Sequence, residues 1–340
     1  MQSFGAPRPT TNPYIHMLDS ALAQTDGIEH LRFDRKRALF GRYDVLQLHW
    51  PETLLLGSSQ GLKAFARRAY VAALLLRLRF SRVAVIRTMH NVELPSGTTT
   101  LEHRMLSEFE RLADYRIVLN EHTQVRGGVA SSVIPHGHYR DWFGEDTEIE
   151  ATPHTLGFVG LVRRYKGVET LIEAFAQTRE AFPDAALRVA GNPSTQQLAN
   201  EVRRLAAGDP RVAFDLRFLS EADFATAIRQ CAGLVLPYRF MHNSGAVLAA
   251  LSLDRPVLVP RNEVNVALAQ EVGPGWIHLY DGELTADDLT RYLRALDEGT
   301  PQNRPNLERR EWTDAGVQHR DAFSKAIESR VRGRRGRQWS

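Results

Sequence analysis

The chain has 340 residues, 43% of them hydrophobic and 24% charged, with a formal net charge of +3 and a pI near 9.1. That length exceeds one comfortable core and fits two α/β domains, with enough apolar content to fill both. A single cysteine, Cys231, excludes an internal disulfide and a multi-thiol metal site, and no apolar run reaches the length of a membrane span or a leader, so a cytoplasmic setting is expected.

The predicted elements start poorly and become clearer along the chain. Only MQSF precedes a polar loop and the helix that Asn12 and Pro13 would start, although a doubly wound fold should open with a strand. The first strand is therefore a stub or lies upstream. Alternating and β-branched runs then predict strands over 27–33, 44–50, 82–90, 115–120 and 130–136. Between the second and third of these, residues 61–82 project as a helix with Lys63, Arg67, Arg68, Arg77, Arg79 and Arg82 on one arc of roughly 200°. Phe65, Ala69, Ala72, Leu76 and Phe80 lie opposite, while Leu74, Leu75 and Leu78 fall among the cations. An exposed mixture of Arg and Leu suits an anionic membrane surface; the same pattern also describes a helix packed on a sheet with an Arg-rich outer face.

Residues 138–155 mix acidic residues, Gly and Pro without periodicity, as a linker would, which places a boundary near residue 150. Beyond it, strands are predicted over 156–162, 186–192, 212–219, 232–238, 256–260 and 276–280, separated by helix-length spans. Repeated strand and helix units imply a parallel, doubly wound sheet. The expected division is residues 1–150, residues 151–312, and a C-terminal helix with a basic tail over 313–340. The Arg-rich end from Arg330 to Arg337 reads as a solvated tail or a phospholipid contact, because nothing in the chain resembles a base-reading module and no nucleic-acid partner is expected.

Three groups of residues could carry chemistry. FVGLVRRYKG follows the first strand of the second half, so Gly160 would allow close backbone approach while Arg163, Arg164 and Lys166 crowd cations at a strand's carboxyl end, where α/β sheets bind ligands. A diphosphate would be held there, helped by the amides of a helix starting near Gly167; the same cations could instead merely solvate a loop. RFMHNSGAVLAAL follows the fourth strand, where Asn243 or Ser244 can cap a helix whose first free amides form an anion seat; the same residues could instead be a simple N-cap. In the first half, three successive strand ends carry His49-Trp50-Pro51-Glu52, His90-Asn91-Val92-Glu93 and His136-Gly137-His138, side chains suited to take a proton from an attacking hydroxyl. No Asp-x-Asp pair follows a strand, so no metal is expected and phosphate charge must be met by Arg, Lys and amides. No Walker loop, Gly-x-Gly-x-x-Gly loop or Gly-x-Ser-x-Gly elbow is present, which weakens kinase, dehydrogenase and hydrolase readings.

Taken together, FVGLVRRYKG, VAGNP and the helix start before LSLDRPVLVP resemble the donor domain of the GT-B glycosyltransferases. More closely, TNPY, RYDVLQLHWPE, RTMHN, HGHYRDWF, YKGVE, GNP, LPYRFMHNSG and EVGPGW resemble the GumI-like xanthan-type mannosyltransferases of glycosyltransferase family ninety-four. The resemblance implies two Rossmann-like domains facing across a cleft, the first binding acceptor and the second binding nucleotide sugar. It implies a GDP-mannose:glycolipid β-1,4-mannosyltransferase acting at the inner face of the cell membrane on a polyprenyl-diphosphate-linked oligosaccharide during exopolysaccharide assembly. The basic helix over 61–82 would be its membrane surface. Donor-binding residues would then be Gly160, Arg163, Arg164, Lys166, Asn192, Tyr238, His242, Asn243, Ser244 and Gly245, with His136, His138 and Asp141 lining the acceptor cleft. The base would be His90, with Glu52, His49 and Glu93 as rivals. The Glu pair of the retaining branch is absent, its positions falling near Met241 and on Ala249, in accord with inversion. The phosphate motifs do not separate GDP from UDP, nor one acceptor from another. A noncatalytic nucleotide or sugar binder is the other class left open.

Overall fold

A computed structural model describes residues 1–55, 61–90, 98–125, 128–144, 149–206, 208–299 and 301–338, the last with side chains to 332. The chain divides into two compact units, Met1–Gly137 with the segment from Arg309 onward, and His138–Glu308.

In the first unit α1 (Pro13–Gln24) and α2 (Arg35–Phe40) precede β1 (Val45–Leu48), α3 (Leu62–Phe80), β2 (Ala84–Met89), α4 (Thr100–Leu112), β3 (Tyr115–Val118) and β4 (Ser131–Val133). The strands pair in parallel in the order β1-β2-β3-β4. Leu46, Leu48 and Val85 of the sheet pack with Val71, Leu74 and Leu78 of α3 and with Leu106 and Phe109 of α4. Asn12 caps α1 by accepting from the Tyr14 amide, and Pro13 occupies the first turn, where its missing N–H costs nothing.

The strand expected over 27–33 does not form. The stub Met1–Phe4 takes the sheet edge instead: Gln2 bridges Gln47 in parallel, and Ser3 donates to the Gln47 carbonyl while Gln47 donates to Met1, each at 2.9 Å. Residues 31 and 33 only rail its other side, through Gln2 to Leu31 and Phe33 to Phe4 bonds of 2.8 Å. The period of two in this segment has another origin: Leu31 and Phe33 cover the core edge, and the alternate residues His30 and Arg32 are both held by Asp19 of α1 at 2.7 Å.

The second unit contains α5 (Arg140–Phe143), β5 (Thr152–Val159), α6 (Val168–Ala176), β6 (Ala186–Ala190), α7 (Gln196–Leu205), β7 (Val212–Asp215), α8 (Glu221–Arg229), β8 (Cys231–Val235), α9 (Gly245–Ser252), β9 (Val257–Pro260), α10 (Glu263–Val272), β10 (Ile277–Tyr280) and α11 (Ala286–Asp297). Its six strands run in the order β7-β6-β5-β8-β9-β10, all parallel. The order reverses between β5 and β8, so connections leave those two neighbours in opposite directions and open a crevice beyond their carboxyl ends.

The last helix, α12 (Trp312–Gln338), packs on α1, β2 and β3 of the first unit. Gly316 permits the close approach to α1, since a Cβ there would meet Thr25 Oγ1 at 2.2 Å. The reading of Arg330 as the start of a solvated tail is corrected: it is buried, pairs with Asp114 at 3.5 Å and donates to the carbonyls of Ser81 at 3.0 Å and Leu78. A buried guanidinium is tolerated only when so paired. Arg332 is exposed and pairs with Glu328; the side chains of Arg334, Arg335 and Arg337 lie outside the described residues.

The helix expected over 61–82 forms as α3, but its faces are reversed. Leu74 and Leu78, the residues that fell among the cations, are buried with Val71. Arg67 donates to the Leu55 carbonyl, Arg68 pairs with Glu102 at 3.0 Å, and Arg77 donates to the Leu39 and Gly41 carbonyls. The outward stripe is instead apolar: Leu62, Phe65, Leu76 and Phe80 are 83%, 68%, 58% and 72% exposed.

Candidate functional site

In the first unit, parallel strands deliver their following residues to one edge, and three histidines meet there. His49 follows β1, His90 follows β2 and His136 follows β4; all three are buried. His49 Nδ1 lies 3.0 Å from His90 Nε2. Trp50 stacks on His90, with ring centroids 4.0 Å apart and planes within 19°. Tyr14, carried in by α1, stands edge-on to His90 at 5.0 Å, lies 4.7 Å from His136 and 5.4 Å from Trp312 of α12. Gly137 packs against the face of Trp312, where a Cβ would come within 2.3 Å of the ring.

The cluster is held from behind by Arg87 of β2. Its guanidinium bonds Glu110 at 2.7 Å and the Leu48 carbonyl at 3.3 Å, and also donates to the carbonyls of His49 and Thr88. Burial keeps the His49 and His90 rings neutral, well below the ordinary histidine range, and Arg87 and the neighbouring imidazoles His49, His136 and His319 add to the effect at His90. Burial likewise lowers His136 to about 4, partly opposed by its bond to the Gly137 carbonyl, and His319 of α12 to about 4. A neutral imidazole is a competent proton acceptor.

In the second unit the loops after β5 and β8 leave at the point of strand-order reversal, and the expected cations sit there. Lys166 Nζ lies 4.8 Å above the Tyr238 ring, and its ammonium is pushed down to about 8, mainly by burial and then by Arg163. Among the described residues the buried Tyr238 hydroxyl has no hydrogen-bond partner. Arg163 donates to the carbonyls of Val162 at 2.8 Å and Asn192 at 3.0 Å, tying the loop after β5 to that after β6. Gly160 has φ +143°, and side chains are shut out around it: a Cβ at Gly191 would meet the Gly160 carbonyl at 1.9 Å, and one at Gly167 the Pro237 carbonyl at 2.3 Å. Backbone is therefore laid bare beside Lys166, as close approach of a phosphate requires. Ser244 caps α9 by accepting from the Val247 amide at 3.3 Å, and Gly245 is the first residue of that helix. The loop between β8 and α9, which carries His242 and Asn243, is pinned where Asn262 and Asn265 donate to the Met241 carbonyl and Sδ at 3.0 and 3.3 Å.

Other expected residues fall elsewhere. Arg164 is taken up by Glu201 at 2.7 Å and Glu169 at 3.4 Å. The Asn192 side chain is exposed. Glu52 is half-buried on a short 3-10 turn, Pro51–Leu54. His136 belongs to the first unit, while His138, whose Nδ1 accepts from the Arg140 amide at 3.2 Å, and Asp141 belong to the second. Glu93 lies outside the described residues. Among the described residues no group of three or more His, Cys, Asp or Glu is set to hold a metal ion. Sequence reasoning missed Gln2, Gln47, Thr88 and His319, which surround the histidines. Gln47, the polar residue inside the otherwise apolar VLQL strand, was the one visible signal.

Residues 153–294 match the family model described as Glycosyl transferases group 1. Over 321 residues, covering 94% of this chain and 90% of the relative, the chain is 38% identical to a GDP-mannose:glycolipid 4-beta-D-mannosyltransferase of Xanthomonas campestris pv. campestris. Among solved structures it is similar to a sucrose-phosphate synthase of Thermosynechococcus elongatus, at 15% identity and TM-score 0.59 over 99% of this chain and 98% of that one. It is also similar to HepE of Anabaena, solved with UDP, at 14% identity and TM-score 0.55 over 88% of this chain and 79% of that one. These two likenesses are of fold, and with the parallel sheets of both units they identify it as GT-B. Given the near full-length identity with the Xanthomonas enzyme, the chain belongs to the GDP-mannose:glycolipid 4-β-D-mannosyltransferase family of glycosyltransferases.

Proposed function

We propose that the protein transfers mannose from GDP-mannose, with inversion and without a metal ion, to a hydroxyl of a polyprenyl-diphosphate-linked oligosaccharide in exopolysaccharide assembly. The observation that carries the reading is the 38% identity over 94% of the chain, spanning both the histidine edge and the diphosphate seat. In the second unit Lys166, Arg163 and the bared backbone at Gly160 receive the donor diphosphate and hold the charge that develops as GDP leaves. In the first unit His90 takes the acceptor proton. His49 is the rival, its ring nitrogens facing Gln2 at 2.9 Å and His90 at 3.0 Å.

A lipid-linked acceptor supports a position against the inner face of the cell membrane; among the described residues no helix is long and apolar enough to cross a bilayer. The surface offered to the lipid is the apolar stripe of α3, flanked by exposed Lys63, Arg79 and Arg82.

The test is thermal shift with GDP, UDP, ADP and GDP-mannose in EDTA, followed by GDP release from GDP-mannose. A ligand bound only by the folded state raises the melting temperature. The expected result is a rise with GDP and GDP-mannose alone, and release that His90→Gln lowers by about 100-fold, the ordinary scale of general-base catalysis. A rise with UDP alone would overturn the donor. Binding without release on any acceptor would make the protein a noncatalytic binder.

A further inference from the structure

The cations of the donor seat differ in what holds them. Arg163 is tied to the carbonyls of Val162 and Asn192 at 2.8 and 3.0 Å, and Arg164 to Glu201 and Glu169 at 2.7 and 3.4 Å. Among the described residues Lys166 forms neither an ion pair nor a side-chain hydrogen bond; what lies under it is a ring. Its Nζ is 4.8 Å from the centroid of Tyr238, within reach of a cation–π contact. A Cβ built at Gly160 would stand 3.7 Å from the same Nζ, so the ammonium borders the bared backbone of the seat.

Tyr238 is 6% exposed, and its hydroxyl is buried with no hydrogen-bond partner among the described residues. An unpaired buried hydroxyl destabilises a fold, so the part of this side chain that is used is the face of its ring. The ring is itself held, by Phe158 at 6.3 Å and by Tyr165 edge-on at 6.4 Å. Backbone contacts on both sides fix the two loops to each other. The Arg239 amide donates to the Tyr165 carbonyl at 2.9 Å, and a Cβ at Gly167 would meet the Pro237 carbonyl at 2.3 Å. Residues 165 and 167 thus grip 239 and 237, with Lys166 set on Tyr238 between them.

A lysine carries its charge on a flexible, strongly hydrated stem, so fixing it for a ligand costs rotamer freedom. A carboxylate would fix it but would also neutralise it, and an arriving diphosphate would have to displace that partner. A π face attracts the ammonium through the ring quadrupole and leaves its charge for the ligand. We infer that Tyr238 is a positioning residue that holds the Lys166 ammonium in the donor seat through the face of its ring, with no use of its hydroxyl and no contact with the donor. The inference rests on the reading of Lys166 as a diphosphate ligand, and it replaces a direct donor contact by Tyr238 with one made through Lys166.

The chain has four lysines, Lys36, Lys63, Lys166 and Lys325. Carbon-13 lysine labelling of the full-length protein therefore gives four ε-methylene signals, of which Lys166→Met identifies one. In the wild type the Lys166 ε-protons should lie upfield of the other three, shifted by the ring current of Tyr238, and Tyr238→Leu should return them to the common position. Titration calorimetry with GDP is the second readout. Tyr238→Leu should weaken GDP at pH 7 by about tenfold, the scale of a desolvated cation–π contact. It should also move the alkaline loss of affinity down by about half to one pH unit, because the ring favours the charged form of the lysine. Tyr238→Phe keeps the face and drops the unpaired hydroxyl. It should show the upfield signal, recover most of the affinity that Tyr238→Leu loses, and melt higher than the wild type. Equal loss of affinity in Tyr238→Phe and Tyr238→Leu would make the hydroxyl the working group and overturn the inference, as would wild-type Lys166 ε-protons at the common position. Should Tyr238→Leu fail to fold, the wild-type spectrum and Tyr238→Phe decide. If Lys166→Met binds GDP as tightly as the wild type, the reading of the diphosphate seat falls, while the ring contact is judged by the spectrum.

Discussion

Lys166 combines a charge the donor needs with surroundings that weaken it. Its ammonium sits over the Tyr238 ring at 4.8 Å, and burial, with Arg163 beside it, brings it down to about 8 from 10.5. A diphosphate at this seat would restore the proton's hold, because an opposite charge favours the charged form. The linkage has a definite sign. Below about pH 8 the free protein already carries the proton and GDP affinity should be flat; above it, binding must take up a proton, and affinity should fall by up to about tenfold per pH unit. Titration calorimetry from pH 6.5 to 9.5 checks this. Lys166→Met should lose about tenfold or more in GDP affinity at pH 7 and abolish the alkaline decline, since it removes a charge-assisted contact. A decline that persists in the variant would assign it to another group. Cys231, by contrast, is spent on the core: burial drives its thiol up to about 12, and its sulfur donates to the Ala227 carbonyl at 3.2 Å.

At the scale of elements, α3 shows how one helix divides its work. Leu74 and Leu78 are fully buried against β1 and α4, whereas Phe65 and Leu76 are 68% and 58% exposed. Leu74→Ala should therefore destabilise the fold by about 2–5 kcal/mol, through lost burial plus the cavity left behind. The pair Phe65→Glu and Leu76→Glu should leave the melting temperature nearly unchanged, as surface substitutions do. It should reduce sedimentation with phosphatidylglycerol-containing vesicles by about tenfold or more, since burying one such side chain contributes roughly 1.5–3 kcal/mol. Equal sedimentation of variant and wild type would remove α3 from the membrane reading. The strand-order reversal in the second unit is a second element-scale fact with a consequence: it is what sets the loop after β5 beside the loop after β8, and so brings Lys166 to Tyr238.

At the scale of the whole molecule, the first unit carries a concentration of buried, neutral histidines. His136 and His319 are each lowered to about 4, and His49 and His90 are lowered as well. In the unfolded chain these rings take up protons near pH 6.5, but in the folded unit His136 and His319 resist until near pH 4. Stability from their neutral burial is thus present above about pH 6.5 and is lost as pH falls from there toward 4. Calorimetric melting should be level from pH 8 to 7 and drop steeply between pH 6.5 and 4. His319→Gln should reduce that slope by about one proton's worth, roughly 1.4 kcal/mol per pH unit. An unchanged slope would show that His319 is not among the groups responsible.

What the amino-acid order determined by itself was the part governed by local periodicity and short-range chemistry. The six strands of the second unit, the cap at Asn12 with Pro13, the glycines after β5 and β6, and the cations of RRYKG were all legible, because each depends on neighbours within a few residues. The strand misread over 27–33 shows the limit: its alternation is real, but Asp19 and the core edge use it instead of a sheet ladder. The outward face of α3 was likewise misassigned, since the pattern shows two faces and only the packing of α4 and β1 chooses which one is buried. Only the tertiary structure could assemble the hydrogen-bonded side chains around His90. Gln2, Gln47, His49, Thr88 and His90 come from three segments as much as 88 positions apart in sequence, and what joins them is the parallel register of the stub, β1 and β2. A side-chain hydrogen bond needs its groups in contact, and contact between distant segments is decided by the fold.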